Sequence, residues 1–378
     1  MQTRPLALGI SLLALSWCLP AGAPQSATVE KVVAHYADLV HAGYADSHKR
    51  AVELQSALQT LTERPSAAAL EAAKNAWKRA RIPYGQTEAF RFYGGPIDDA
   101  DGPEGLINAW PMDEGYVDYV MGNPCTGIVN NLDAPITREH LVALNEQGGE
   151  ENVSTGYHAI EFLLWGQDLS ADGPGARPVS DYEGAPRRAQ YLHTVAAQLV
   201  DDLQYLVDEW APGQNGNYRT AFLAQAPREA LRQILVGVGT LSRSELAGER
   251  MAVALESQDQ EDEHSCFSDN THDDIIRNAQ GIQNVIQGRY VRGNGVLVEG
   301  PGILSLLQDE RRAELEGKTR NAMAAAHTIK PPFDNEITSP LGRQRVLAAI
   351  HALRAQAESI VNAAADLGIA NLQVALPE

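Results

Sequence analysis

The stretch STGYHAIEFLLWGQD, residues 154–168, has an apolar helix pattern that contains one histidine and one glutamate, His158 and Glu161. Residues three apart on an α-helix differ by about 60° around the axis and roughly 4.5 Å along it, so both side chains project from one face. Because the surrounding positions are apolar, the helix should be buried and its polar pair must find partners in the interior. The pair therefore predicts a shared metal ion, an arginine partner or a purely structural hydrogen-bond network, and spacing alone leaves these alternatives open.

The composition limits the kinds of partner that the protein can have. The chain has 378 residues, 44% of them hydrophobic, and a formal net charge of −19. This length accommodates two domains of ordinary size. Binding to nucleic acid or to an anionic membrane surface depends on clustered Lys and Arg, which the sequence lacks. We therefore expect neither as a partner.

The N-terminus has the layout of an export signal. Arg4 precedes an apolar run over residues 6–19, and small residues follow, as in secretory signal peptides. The run is too short to span a bilayer, so we expect a signal peptide over residues 1–27 and a mature chain without a transmembrane span. A lipid anchor at Cys18 is disfavoured because Trp17 stands where a bacterial lipid-attachment signal has a small residue.

Removal of the signal leaves two cysteines, Cys125 and Cys266. An even number of cysteines in an oxidising compartment permits one disulfide. Two separate buried thiols fit the sequence equally well, since a sequence does not show proximity. The Cys125–Cys266 disulfide is thus a prediction that a structure can test.

Helical periodicity dominates the remainder of the chain. A break near Gly43 and a kink or restart at Pro83 are expected within the first two helices. No sustained alternating run rich in Val, Ile and Thr calls for a sheet. The helical patterns extend over residues 28–62, 67–82, 137–145, 187–210, 227–251, 273–287, 302–329 and 341–367.

Two pairs of charged residues lie at helical spacing outside the opening stretch. Glu88 and Arg91 are three apart in a Gly- and Pro-rich segment, where they form either an ordinary ion pair or the lining of a pocket beside the His158 helix. Glu245 and Glu249 are four apart, so they share a face of the 227–251 helix.

The stretch DQEDEHSCFSDNTHDD, residues 259–274, is the richest polar cluster. Glu261 and His264 repeat the three-residue spacing, and so do Asp269 and His272. Imidazole together with carboxylate suits iron or zinc. The alternative is a solvated acidic loop that caps the next helix, although the apolar residues at its centre suggest that it is packed.

Four motifs together resemble the imelysin family, including its iron-regulated protein A branch: RARIPYGQTEAFRFYGGPID (79–98), EGLINAWPMDEGYVDYV (104–120), TGYHAIEFLLWGQD (155–168) and EDEHSCFSDNTHDD (261–274). The resemblance covers nearly the whole mature chain. Its G-x-H-x-x-E motif falls on Gly156, His158 and Glu161. It implies an all-α fold of two helical bundles with a rough internal duplication and a site in the cleft between them. The expected domains are residues 28–185, which carry the motif, and residues 186–378.

The resemblance also implies a place in the bacterial envelope, periplasmic or associated with the outer membrane. Members of the family have been described as metallopeptidases and are linked to iron acquisition. A common zinc peptidase has two histidines one turn apart with a glutamate between them as base, whereas here Glu161 stands where a ligand would. The sequence therefore favours an exported metal-binding protein of iron uptake over a zinc metallopeptidase. A di-iron carboxylate bundle lacks its second Glu-x-x-His motif.

These considerations predict the site residues. We expect His158 and Glu161 to bind a divalent or ferric ion, with iron favoured over zinc, and Glu88 and Glu249 to supply further oxygen ligands. The expected partners are a metal ion or metal chelate and other envelope components of iron uptake. Other side chains expected in or around the pocket are Arg91, Glu245, His264, Asp269 and His272.

Overall fold

Helices form most of the described part of the protein. The computed structural model describes residues 27–170 and 173–374, so nearly all of the predicted signal peptide lies outside the described residues. The α-helices are α1 (Val29–Glu63), α2 (Ala67–Thr87), α3 (Glu104–Asn108), α4 (Glu114–Val117), α5 (Arg138–Leu144), α6 (Gly156–Trp165), α7 (Pro186–Glu209), α8 (Tyr218–Ala224), α9 (Pro227–Thr240), α10 (Ala254–Ser257), α11 (Thr271–Gln287), α12 (Asp309–Ala326), α13 (Phe333–Thr338) and α14 (Pro340–Asp366). A π-helix over Leu241–Val253, the π segment, joins α9 to α10.

The first two helices continue through Gly43, where a break was expected, and through Pro83, where a kink or restart was expected. α1 continues through Gly43, where an added Cβ would lie 3.1 Å from side-chain atoms of Phe90 and Thr87. The glycine thus permits close packing instead of ending the helix. α2 begins where Ser66 Oγ accepts a hydrogen bond from the Ala69 amide at 3.2 Å. It then continues through Pro83 to Thr87.

A short antiparallel hairpin departs from the helical prediction. Its strands are β1 (Arg289–Val291) and β2 (Leu297–Glu299), in a segment that the sequence predicted as a loop. Three-residue strands are too short to show an alternating pattern. Asp46 of α1 holds the hairpin in place by accepting hydrogen bonds from the Tyr290 hydroxyl at 2.9 Å and from the Gly293 amide at 2.9 Å.

The helices pack in two groups that meet along α2 and α11. In the first group α1 packs against α2 and α7, and in the second α14 packs against α12, α9 and the π segment. The all-α fold is confirmed. The internal duplication and the domain boundary at residue 185 stay predictions, and α7, which opens the predicted second domain, packs against α1 and α6. Across residues 27–170 and 173–374, no helix has the length and apolar character needed to cross a membrane.

The predicted disulfide is wrong. Cys125 is an exposed free thiol in the loop after α4, and Cys266 is a buried free thiol. Cys125 follows the tight turn that pairs Val120 with Asn123 at the surface, whereas Cys266 is only 9% exposed and belongs to the apolar core. The two residues occupy different environments, so an even cysteine count did not imply a pair.

Candidate metal centre

Helix α6 carries His158 and Glu161 into the interior. Its first residue, Gly156, has φ +80°, and a Cβ there would lie 2.5 Å from the Ile107 carbonyl oxygen. Only glycine adopts this conformation at such close approach, and it lets α6 begin directly against α3. The side chains are deeply buried as the apolar pattern predicted, with His158 2% and Glu161 0% exposed.

His158 and Glu161 contact each other directly. His158 Nδ1 lies 2.8 Å from Glu161 Oε2, while Glu161 Oε1 accepts hydrogen bonds from the Ser268 amide at 3.0 Å and the Ser268 hydroxyl at 2.6 Å. The other ring nitrogen of His158, Nε2, is buried and has no hydrogen-bond partner within the described part of the chain. Glu161 therefore fixes the orientation of the imidazole, and Nε2 stays available to a ligand.

A second imidazole, that of His264, lies beside the first. The ring centroids of His158 and His264 are 4.8 Å apart. His264 Nδ1 is 2.8 Å from Asp274 Oδ2, and Arg81 donates to the same carboxylate, Nη2 to Oδ2, at 3.2 Å. His264 Nε2 has a long contact of 3.4 Å with Asn108 Nδ2. Both histidines thus have Nδ1 held by a carboxylate.

Burial sets the charge of these groups. Burial raises the pKa of Glu161 to about 8, against the opposing hydrogen bonds from Ser268. Burial also lowers the pKa of His158 and of His264 well below the usual histidine value, helped by the positive charges of Arg81 and Arg250 respectively. Both imidazoles are therefore neutral at pH 7, which is the form that binds metal ions.

Both histidines border one small pocket of about 10 Å³, enough room for about one water molecule. Two glutamates and a cysteine also border it, so the lining includes residue types that supply oxygen and sulfur as well as nitrogen. The lining residues are Trp110, Pro111, Met112, His158, Glu261, Glu263, His264, Cys266 and Phe267.

The predicted oxygen donor Glu88 is engaged by two arginines. Its Oε2 accepts from Arg91 Nη1 at 2.8 Å and from Arg250 Nη2 at 2.8 Å. Burial alone would raise the pKa of Glu88, but the two guanidinium charges lower it to about 2. The ion pair foreseen as one alternative for Glu88 and Arg91 is thus present. The arginines compensate the charge of Glu88 without a metal.

The remaining predicted residues lie in the π segment, in the first turn of α11 and in the loop before it. Glu245 Oε1 binds Arg250, five residues later, at 2.9 Å, a contact that suits the i to i+5 geometry of a π-helix. Glu249 is half-buried in the same π segment, and His272 is half-buried in the first turn of α11. Among the described residues, Asp269 groups with Asp168 and Asp334 and not with His158.

Four side chains that complete the centre could not be identified from the sequence. They contact Glu161, His264 or one another, and no spacing pattern marks them. The only signal was their presence in the quoted motifs. These residues are Arg81, Asn108, Ser268 and Asp274.

The fold and the centre define an all-α protein in which two buried histidines are each held by a carboxylate. A family model described as imelysin matches residues 40–360. The chain therefore belongs to the imelysin family, as its motifs predicted.

Comparisons with individual proteins agree with this assignment. Iron-regulated protein A of Synechococcus elongatus is 28% identical over 373 residues, which cover 95% of this chain and 93% of the relative. A crystal structure of a candidate iron-regulated protein A precursor from Parabacteroides distasonis matches with a TM-score of 0.68 and 18% identity, over 90% of this chain and 95% of that one. An imelysin-like protein from Psychrobacter arcticum matches with a TM-score of 0.65 and 15% identity, over 91% and 97%. At these identities the two structures show the shared fold alone.

Proposed function

We propose that the protein is an exported metal-binding protein of the bacterial envelope that takes part in iron uptake, with its metal centre at His158 and Glu161. The observation that carries the proposal is the buried Nε2 of His158, which has no partner among the described residues while Nδ1 is held by Glu161. A buried polar atom without a partner costs free energy. A bound metal ion would remove that cost.

The donor set fits a transition-metal ion. Histidines that bind metals usually donate their second ring N–H to a carboxylate, which fixes the tautomer and raises the basicity of the ligand. Nδ1 of His158 lies 2.8 Å from a carboxylate oxygen of Glu161, and Nδ1 of His264 lies 2.8 Å from one of Asp274, which is the spacing this arrangement needs. We propose His158 and His264 as nitrogen ligands, with Glu161 as the group that positions His158 and supplies negative charge beside the ion. The pocket carboxylates Glu261 and Glu263 are nearby oxygen donors.

Iron is the favoured ion. Mixed imidazole and carboxylate donors suit both iron and zinc, so the donor set alone does not separate them. The similar protein from Synechococcus elongatus is named as iron-regulated, and this relationship supports iron. An envelope location would place such a protein where external iron, free or chelated, is first met.

A zinc metallopeptidase that uses the same motif is the alternative, because the family has been described in those terms. A peptidase must bring a polypeptide to a metal-bound water. His158 is only 2% exposed, and the pocket beside it measures about 10 Å³, too small for a peptide segment. This geometry favours binding over peptide hydrolysis.

Titration calorimetry with ferrous iron under anaerobic conditions, ferric citrate and zinc tests the proposal. We expect the wild type to bind iron, and His158→Ala and His264→Ala each to lose at least about tenfold in affinity, roughly 1.4 kcal/mol. His351→Ala on α14 is the matched control, because His351 is exposed. Its affinity should equal that of the wild type.

Two results would contradict the proposal. One is a folded wild type, by circular dichroism, that binds none of the three metals. The other is unchanged affinity in both histidine variants of the pocket. Cleavage of an unfolded substrate that requires zinc and is lost in His158→Ala would instead favour the peptidase.

A further inference from the structure

A second group of acidic side chains lies outside the histidine centre. Asp168 follows α6, Asp269 precedes α11 and Asp334 lies in α13. Each contributes a carboxylate oxygen that lies within 4.8 Å of an oxygen of the other two. Their exposed fractions are only 3%, 9% and 6%. The three residues come from distant parts of the sequence, so only the fold brings them together. We name Asp168, Asp269 and Asp334 the Asp168 cluster.

Hydrogen bonds leave part of this cluster unsatisfied. Asp168 Oδ1 accepts from the Ser170 amide at 3.1 Å, but Asp168 Oδ2 is buried and accepts no hydrogen bond from any residue in the described ranges. The neighbouring carboxylate of Glu263, 3% exposed, likewise has Oε1 without a hydrogen-bond donor among the described residues. A buried carboxylate oxygen without a donor requires either a proton or a cation.

The carboxylates also repel one another. Burial, followed by the negative charges of Asp334 and Asp168, raises the pKa of Asp269 to about 7, against the opposing positive charge of Lys78. Burial together with Asp334 raises the pKa of Asp168 to about 6. An arrangement of like charges this close is costly without a counter-ion.

We propose that the Asp168 cluster is a binding site for a hard divalent cation of the calcium or magnesium type, separate from the histidine centre. Its donors are oxygen atoms alone, which such cations prefer. Calcium binds oxygen at roughly 2.3–2.6 Å, so two oxygens on one ion lie at most about 5 Å apart, in agreement with the 4.8 Å limit. An adjacent pocket of about 400 Å³, bordered by Asp168 and Asp334, has room for the water ligands that complete the shell.

The cation would also secure the loop that holds Glu161. Ser268, which donates two hydrogen bonds to Glu161, directly precedes Asp269. Asp269 has φ +54°, a left-handed conformation that costs free energy in most residues other than glycine. A cation bound to its carboxylate would stabilise this backbone and join it to the ends of α6 and α13.

Titration calorimetry with calcium chloride and with magnesium chloride tests the site, on full mature chain first stripped with chelator. We expect one cation per chain for the wild type and at least about a tenfold weaker affinity in Asp269→Asn and in Asp168→Asn. At position 269 asparagine tolerates the left-handed conformation. At position 168 it keeps an oxygen that can accept the hydrogen bond from the Ser170 amide. Asp133→Asn, at an exposed loop position, is the matched control and should bind as the wild type does.

Thermal unfolding separates loss of the site from loss of the fold. In chelator, Asp269→Asn should melt at the same temperature as the wild type or higher, because one repelling charge is gone. Calcium or magnesium should then raise the melting temperature of the wild type but not of this variant. A wild type that binds neither cation, or aspartate variants that bind as well as the wild type, would overturn the proposal.

The double variant His158→Ala/Glu161→Gln distinguishes this site from the histidine centre. We expect it to lose iron binding and retain calcium or magnesium binding. Loss of the hard cation from a double variant that is still folded would show that the two sites are one, and it would overturn the inference.

Discussion

Glu161 is the residue at which burial and the proposed function conflict most directly. It is fully buried, and its pKa is raised to about 8, so in the absence of a metal the carboxyl is mostly protonated at neutral pH. Burying a neutral carboxyl costs much less desolvation free energy than burying a carboxylate. The negative charge that would hold a metal beside His158 exists only after a proton leaves. Metal binding and proton loss should therefore be coupled at this residue.

The first prediction concerns stability against pH. Because the folded pKa of Glu161 lies above its unfolded value of 4.5, the folded state binds more protons between these two values. This stabilising contribution is complete below about pH 4.5 and is lost as the pH rises through about 8. Glu161→Gln mimics the protonated side chain and does not titrate. As the pH rises from 5.5 to 8.5, the unfolding free energy of the metal-free wild type should therefore fall by several kcal/mol relative to that of the variant. Urea unfolding of both proteins at pH 5.5 and 8.5 measures the difference, and a difference that does not change with pH would refute the raised pKa.

The second prediction concerns the protons released on metal binding. If the metal requires ionised Glu161, each ion bound at pH 7 should displace close to one proton, and fewer above pH 9, because the empty site has a pKa of about 8. Calorimetry in two buffers of different ionisation enthalpy gives the proton count. Glu161→Gln is the control and should release none. Equal counts in the two proteins would assign the released proton to another group.

At the scale of single elements, α6 could be predicted from sequence almost completely. Its apolar pattern predicted the burial, and the three-residue spacing predicted that His158 and Glu161 share a face, which their 2.8 Å contact bears out. Helix periodicity is a local property, so a sequence can display it. The helix-only expectation failed at β1 and β2, where the strands are too short to show their period.

The partners of α6 could not be predicted in the same way. His264 was identified as a candidate from local spacing with Glu261, yet its close partner is Asp274, ten residues away. Arg81 reaches the same carboxylate from α2, across 193 positions of sequence. Such contacts depend on how helices pack, and a single sequence without its relatives carries no periodic signal for them. The contact between Arg250 and Glu88 could not be predicted for the same reason, since Arg250 approaches from the π segment.

The third prediction tests the start of α6. Gly156→Ala places a Cβ 2.5 Å from the Ile107 carbonyl oxygen at φ +80°, so we expect a loss of at least about 2 kcal/mol in unfolding free energy and weaker metal binding. Gly317→Ala is the control of opposite sign, because Gly317 lies inside α12 and an added Cβ there has nothing within 4 Å. Alanine there should stabilise by about 0.5–1 kcal/mol. Urea titration measures the unfolding free energy of both variants. If Gly156→Ala stabilised the protein as Gly317→Ala does, α6 would be able to shift away from α3 without a loss of free energy.

At the scale of the whole molecule, buried charges join the two groups of helices. Arg250 of the π segment is 1% exposed and binds Glu88 at the end of α2, while its other nitrogen, Nη1, donates to Asn278 of α11. Arg81 of α2 binds Asp274 of α11 in a similar way. His264 contacts the Arg81–Asp274 pair directly, and the charge of Arg250 helps to lower the pKa of both histidines. The histidine centre is therefore linked to both groups of helices.

The last prediction is that Arg250→Met destabilises the whole chain. The change keeps the volume and apolar stem but leaves Glu88, 1% exposed, with Arg91 as its one remaining ion-pair partner among the described residues. Removing one member of a buried ion pair typically costs about 3–5 kcal/mol, because the other charge stays buried. Arg354→Met on α14, an exposed position, is the matched control and should change stability by less than about 0.5 kcal/mol. Adding Glu88→Gln to Arg250→Met removes the uncompensated charge and should restore part of the loss. Urea unfolding of the wild type, Arg250→Met, Arg354→Met and the double variant measures these differences. A double variant less stable than Arg250→Met would show that the two side chains act independently.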